Sequence, residues 1–297
     1  MTAAHPSPRK AAAWMAGWLT AMVVMAVAGR AATKTLHVFQ IMEMRSLLGF
    51  VLLWPLIHAS GGVRRLGTAR LGQQVARNAV HYAAQFGWFF ALTLIPIAQV
   101  VAIEFTMPIW TALLAVSFLG ERLAPARILA IVLGLVGVTA IVRPQAGHLE
   151  PGQLVALVAA IGFAISVILV KSLTRTDSPV AIVFWMLVVQ SAIGAVPALV
   201  VWRTPTAAVW PWIVVIAICG TYSHLCMTQA LRHAEATMIV PMDFLRVPLS
   251  AVAGWLVFGE RIDVFTVGGA ALILFANLLN LRRPVPVPKG QQMATHP

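Results

Sequence analysis

The sequence predicts an all-α membrane protein: ten transmembrane helices in two five-helix repeats of inverted topology. Three observations predict it. Hydrophobic residues fill 60% of the 297 positions and charged residues 10%, against roughly 25% charged in a soluble domain. Apolar runs long enough to span a bilayer, about 20 residues each, recur along the whole chain and leave no room for a soluble domain. Finally, Ala91-Leu92, Glu104-Phe105 and Gly120-Glu121-Arg122 return as Ala230-Leu231, Asp243-Phe244 and Gly259-Glu260-Arg261, each 139 positions later. Such a repeat in an apolar chain points to a membrane carrier made from two copies of one unit. Five spans separate Glu104 from Asp243. Five is odd, so equivalent helices run in opposite directions through the membrane.

A tail, 1–11, precedes span one at 12–32. Arg9, Lys10 and the Ala26-Val27-Ala28 run resemble a signal peptide, but the apolar stretch is too long and its removal would break the repeat. Span two, 38–58, carries Glu43 and Arg45. Span three, 75–95, carries Asn78, His81, Gln85 and Trp88 at spacings of 3, 4 and 3, one polar face, with Tyr82 at its border. Ala79, Ala83 and Gly87 give the same helix a small-residue packing face. Span four, 97–118, holds Glu104, Trp110 and Pro108, which denies the Glu104 carbonyl its helical donor. Span five, 126–142, is the shortest, and Arg143-Pro144-Gln145-Ala146-Gly147 turns the chain between repeats at 12–145 and 150–283. Span six, 152–172, stacks Ala156, Ala160 and Ala164. Spans seven and eight, 179–202 and 208–232, bring Trp185 and then Thr221, His224 and Thr228. His224 is the repeat partner of Gln85. Cys219 and Cys226 lie about 10 Å apart along that helix, too far for a disulfide. Span nine, 236–258, contains Asp243, Arg246 and Pro248; span ten is 263–281, and a flexible tail covers 284–297.

The net charge of +12 could suggest nucleic acid, but its distribution argues otherwise. With the N-terminus cytoplasmic, fourteen Lys and Arg fall on the cytoplasmic side and five outside, with Arg45 and Arg246 inside spans. This is the positive-inside pattern of a multi-pass protein with both termini in the cytoplasm. No nucleic-acid partner is expected; the bilayer and a small-molecule substrate are, and a homodimer is left open.

Ionisable residues inside spans cost roughly 2.5–3.5 kcal/mol each on insertion scales. Glu43, Arg45, Glu104, Asp243 and Arg246 are therefore expected to face protein or water. Arg246 lies about 15 Å deep, with Asp243 on its own helix face. Either the two close an ion pair that locks helices, or they bind substrate. Glu104, at the equivalent place in the other repeat, is a proton-coupling candidate alongside Asp243 and Glu43, since a carboxyl beside a wet cavity can carry a proton. Glu43 and Arg45 point about 200° apart and cannot share a partner. The expected substrate-binding set is Arg246, Asp243, Arg45, His81, Gln85, Trp88, Tyr82, His224 and Trp110. The two Gly-Glu-Arg turns are read as helix-end caps. There is no His-Glu-x-x-His, no Gly-x-Ser-x-Gly and no Cys cluster, so no catalytic residue, metal or cofactor is assigned.

Two five-helix halves, each with a Gly-Glu-Arg turn after its fourth helix, and Glu43-Met44-Arg45-Ser46 in span two resemble the EamA-type carriers of the drug/metabolite transporter superfamily. The resemblance covers about residues 12–283. It implies a ten-helix inverted-repeat fold and transport without catalysis. Members export amino acids and metabolites, take up riboflavin or S-adenosylmethionine, or export opine-type metal chelators. The expectation is an inner-membrane carrier of a small polar or zwitterionic metabolite, with export the commoner direction; uptake of a vitamin or nucleoside-type compound is the alternative.

Overall fold

The structure is a computed structural model that describes residues 8–119, 125–142, 150–173, 176–233, 243 and 245–281. The first Gly-Glu-Arg turn, the turn at 143–147, the first residues of span nine and the C-terminal tail lie outside them, as do the side chains of Pro108, Thr228 and Pro248. Among the described residues every regular element is helical. In chain order they are α1 (Pro8–Ala32), α2 (Val38–Ala59), a 3₁₀ turn (Val63–Leu66), α3 (Leu71–Leu94), α4 (Ile97–Glu104), α5 (Met107–Leu119), α6 (Pro125–Val142), α7 (Pro151–Leu173), α8 (Pro179–Val200), α9 (Trp210–His233), α10 (Arg246–Phe258) and α11 (Val264–Leu281).

Local chemistry explains the ends. His37 accepts the Phe39 N–H at the start of α2, and Gly61 and Gly62, at φ 96° and 83°, turn the chain away after it. Ser178 caps α8 through the Ala181 N–H, with Pro179 pre-set for the first turn. Asp263 accepts the Thr266 N–H and opens α11. Gly259, at φ 65°, ends α10 in the left-handed conformation that favours glycine.

Among the described residues five helices are long and apolar enough to cross a membrane: Arg9–Ala32, Val38–Ala59, Pro151–Val170, Pro179–Val200 and Trp210–Met227. Side-chain placement is inverted relative to a water-soluble protein. Arg45, Arg77, Asn78, Gln85, Glu104, Asp243 and Arg246 are buried, while Val51, Val200 and Val264 are each more than 70% exposed. The polar face of α3 turns inward, and Leu71, Val75, Phe90 and Leu94 turn outward. That rotation also corrects the expected packing face of α3. Ala79 and Ala83 are exposed. Of the expected face Gly87 alone packs closely, against Ala159, and it is joined by Ala84 against Gly162 of α7, because the polar stripe, which must be shielded from lipid, fixes how the helix is turned.

The largest helix contacts join the two halves of the sequence: α1 with α9, α3 with α7, α6 with α11 and α2 with α8. At the α6–α11 contact Gly137 and Gly269 meet backbone to backbone; a Cβ on Gly137 would come within 2.8 Å of the Gly269 carbonyl. Polar straps hold the ends. Gln40 gives its amide to the Arg203 carbonyl and takes the Arg203 N–H in return, at 2.6 and 3.1 Å. Gln74 donates to Asp177 at 2.7 Å.

Span four departs from a continuous helix. It breaks at Phe105–Thr106 into α4 and α5. Pro108 has no N–H for the Glu104 carbonyl, and the chain tightens there: the Thr106 N–H returns to the Ile103 carbonyl at 2.9 Å, and the Thr106 hydroxyl donates to the same oxygen at 2.8 Å. In the second half α10 begins at Arg246, three residues after Asp243, with Pro248 in its first turn. Glu104 thus ends one helix and Arg246 starts another.

Candidate substrate site

Two groups of buried polar side chains meet along the inward face of α3. The first lies at the α4 and α10 ends. Arg246 donates from both terminal nitrogens to Glu104 at 3.0–3.1 Å and from one to Asp243 at 3.2 Å. Its guanidinium carbon sits 4.8 Å from the centre of the Phe105 ring. Each carboxylate has an indole donor as well: Trp88 of α3 to Glu104 at 2.8 Å, and Trp18 of α1 to Asp243 at 2.5 Å. This cluster holds two negative charges and one positive, and Arg246 is 2% exposed. The ion pair foreseen from sequence is here a triad.

The second group lies between α2, α3, α7 and α9. Arg45 donates to Gln85 at 2.6 Å, and Arg77 to Asn78 at 2.5 Å. His81 shares a hydrogen bond of 3.2 Å with Ser166, and its ring centre is 5.6 Å from that of His224. Gly220 makes room for Arg45: a Cβ there would come within 2.5 Å of the Arg45 Nε.

Other candidates go elsewhere. Glu43 accepts from Ser191 and, with the Tyr82 hydroxyl, lies against Gly194 of α8. Glu43 and Arg45 therefore serve different helices. Trp110 donates to Thr106 of its own turn at 3.1 Å, and Trp185 to the Leu66 carbonyl at 2.8 Å, so neither is brought to the two clusters. Glu260 of the second Gly-Glu-Arg turn accepts the Ile97 N–H at 3.3 Å and pairs with Arg30, which also donates to the Ile95 carbonyl. It caps a helix of the other half.

Buried charge along one helical stripe and apolar surface outside agree with what the sequence comparison finds: residues 9–143 and 150–282 each match the EamA-like transporter family. The chain belongs to that family. It is a multi-pass membrane transporter of the drug/metabolite type, acting on a small molecule. Relatives include a riboflavin transporter of Brucella anthropi, 32% identical over 80% of this chain and 85% of its own length. An S-adenosylmethionine uptake transporter of Rickettsia bellii is 26% identical over 88% of this chain and 91% of its own. A pseudopaline exporter of Pseudomonas aeruginosa is 25% identical over 85% and 89%. A solved crystal structure shares the fold, with a TM-score of 0.71 at 18% identity, over 92% of this chain and 96% of that one.

Two residues of this EamA transporter escaped the sequence reading. Arg77 was counted with the cytoplasmic charges, yet it is 4% exposed inside α3. The signal was present: Arg77, His81, Gln85 and Trp88 are spaced 4, 4 and 3, a helical stripe as good as the one starting at Asn78. Trp18 was missed because Trp usually marks the membrane interface. It is the seventh residue of span one, and no local pattern links it to Asp243, to which its indole donates. Replacing Trp18 or Trp88 by Phe removes one donor from an ionised carboxylate. Each change is expected to cost about 1.5–3 kcal/mol, read as a lowered unfolding midpoint in detergent; a loss below about 0.5 kcal/mol would mean that the indole bond carries no weight.

Proposed function

We propose that this transporter moves a small polar or zwitterionic metabolite across the bacterial inner membrane by alternating access, with both termini cytoplasmic. The observation that carries this reading is the Glu104–Arg246–Asp243 triad, which joins the end of α4 in one half to the start of α10 in the other. Interrupted helices facing each other at mid-depth are where carriers of inverted repeats hold their substrates and coupling ions. The packing supports the inversion as well. Exchanging the halves turns the α1–α9 contact into the α3–α7 contact and leaves α2–α8 and α6–α11 unchanged.

The moving bodies are not the two sequence halves, whose separation would break every large interface. They are mixed bundles that hinge where α4 ends and α10 starts. From Arg77 to Trp88 the α3 stripe runs about 16 Å, a length suited to an amino-acid derivative or a nucleoside-sized molecule. Export is the direction expected from the sequence. Uptake of a vitamin or nucleoside-type compound is the second reading, favoured by the names of the riboflavin and S-adenosylmethionine relatives.

Counterflow in proteoliposomes with riboflavin, S-adenosylmethionine and an opine, followed by right-side-out and inverted vesicles, tests both parts. Saturable exchange of at least one compound is expected. Impermeant thiol labelling at positions 121 and 260 should place them on opposite faces; labelling of both from one side would end the inverted-repeat reading.

A further inference from the structure

Arg246 has both terminal nitrogens engaged by two carboxylates, its Nε alone being buried without a partner. Arg45 and Arg77 do not. Among the described residues no carboxylate lies within ion-pair distance of either, and the Nε of each is buried without a hydrogen-bond partner. The Nε2 of His81 is buried and unpartnered too. Arg45 is 1% exposed. Arg45 reaches Gln85 of α3 and Gly220 of α9, while Arg77 lies one turn from His81 on α3, whose ring faces that of His224 of α9. Among the described residues the two guanidinium groups donate to the neutral amides of Gln85 and Asn78 alone. Two like charges kept together out of water without a counter-charge are costly. Buried donors in native proteins almost always find an acceptor. A carrier retains such a cluster where the acceptor arrives with the cargo.

We propose that Arg45 and Arg77, with the two imidazoles beside them, bind an oxyanion of the transported substrate bearing two negative charges: a phosphomonoester or a pair of carboxylates. This rests on the carrier reading above and gives it a substrate class. Guanidinium forks fit the planar edge of a carboxylate or phosphate and hold it through two parallel bonds. Gly220 leaves room on α9 for the Arg45 side chain. One turn further along α3, Trp88 joins the triad, whose surplus is negative. The substrate is thus oriented with its anionic end toward Arg45 and Arg77 and its neutral or cationic end toward Glu104 and Asp243.

The test uses the purified full-length protein and matched ligand pairs: riboflavin 5′-phosphate against riboflavin, and succinate against succinamide, with inorganic phosphate alone as a further probe. The readout is the thermal unfolding midpoint as each is titrated. At least one anionic member should act at concentrations about tenfold or more below its neutral partner. Arg45→Gln and Arg77→Gln should each weaken that response about 10- to 100-fold and leave the neutral ligand unchanged; Arg45→Lys, which keeps the charge but loses the fork, should fall between. A larger response to phosphates assigns a phosphomonoester, and a larger response to succinate assigns paired carboxylates. Equal responses to both members of both pairs by the unmodified protein overturn the proposal, and that measurement needs no variant to fold. Anion binding without counterflow would leave this site standing and remove the carrier reading. Counterflow indifferent to ligand charge would do the reverse.

Discussion

Arg246→Ala is expected to destabilise the folded transporter by about 3–5 kcal/mol and to abolish transport. Arg246 is the sole positive charge seen between Glu104 and Asp243, and it is almost wholly buried. Its removal leaves two like-charged carboxylates facing each other in a low dielectric. Their remaining donors are one indole each. Breaking a buried pair by deleting one partner is far costlier than replacing the whole cluster. The combined variant Arg246→Met, Glu104→Gln, Asp243→Asn should therefore regain most of the lost stability while staying inactive. Tryptophan fluorescence during thermal unfolding in detergent, beside counterflow at matched reconstitution, measures both. Near-parental stability and transport in Arg246→Ala would show that the triad neither holds nor couples the helix ends.

The placement of these charges on their helices explains why the triad suits a moving part. Glu104 is the last residue of α4, at the negative end of its dipole; Arg246 is the first of α10, at a positive end. Each is on the unfavourable side by about 0.3–1 kcal/mol, so neither is stable there alone. Pairing offsets both costs while the ends stay together. Moving them apart requires a replacement for each partner, whether a proton on a carboxyl or a charged group of the substrate. Separation of the helix ends is thereby tied to ligand and proton occupancy, which is the coupling a carrier needs.

The sequence made the membrane class legible because burial in lipid is dictated by composition, and ten apolar runs leave few other choices. It also marked Glu104, Asp243 and Arg246, since charge inside an apolar run has few explanations. It did not show that Arg246 reaches Glu104, 142 positions away. Periodicity speaks only within one helix, and the Asp243–Arg246 spacing drew attention to the local pair. Arg77 was lost to the same rule that found the topology: a base near a span end counts toward the positive-inside bias whether or not its side chain folds inward. The break after Glu104 was half visible in Pro108. Whether a helix kinks or divides there depends on how the surrounding backbone groups are satisfied, and here Thr106 turns both its N–H and its hydroxyl to the Ile103 carbonyl. Glu260 was read as a helix-end cap. That the helix it caps is α4 of the other half follows from a packing of the two halves that no local pattern encodes.

That cross-half cap leads to the second large effect. Glu260→Ala is expected to raise the exposure of the α4 start about tenfold, equivalent to about 1.4 kcal/mol. Glu260 ties three elements together: the end of α1 through Arg30, the start of α4 through the Ile97 N–H, and its own position after α10. Its side chain lies against Gly254, where any Cβ would collide with it. The pair with Arg30 is partly open, with side chains 24% and 11% exposed, so screening reduces its worth below that of the triad. The bond to an unpaired helix-start N–H adds to it. Ile97 is fully buried, which makes Ile97→Cys, in a background with Cys219 and Cys226 replaced by Ala, a reporter of opening. Alkylation by an impermeant reagent should quicken about tenfold with Glu260→Ala and less with Glu260→Gln, whose amide oxygen can still accept from the backbone. Joining Arg30→Cys to Glu260→Cys with a short bifunctional reagent should stop transport, and a cleavable version should restore it on reduction. If alkylation at position 97 ignored both substitutions and the cross-linked protein still transported, the Arg30–Glu260 contact would be a static strap, and the gate would have to lie deeper, at the triad alone.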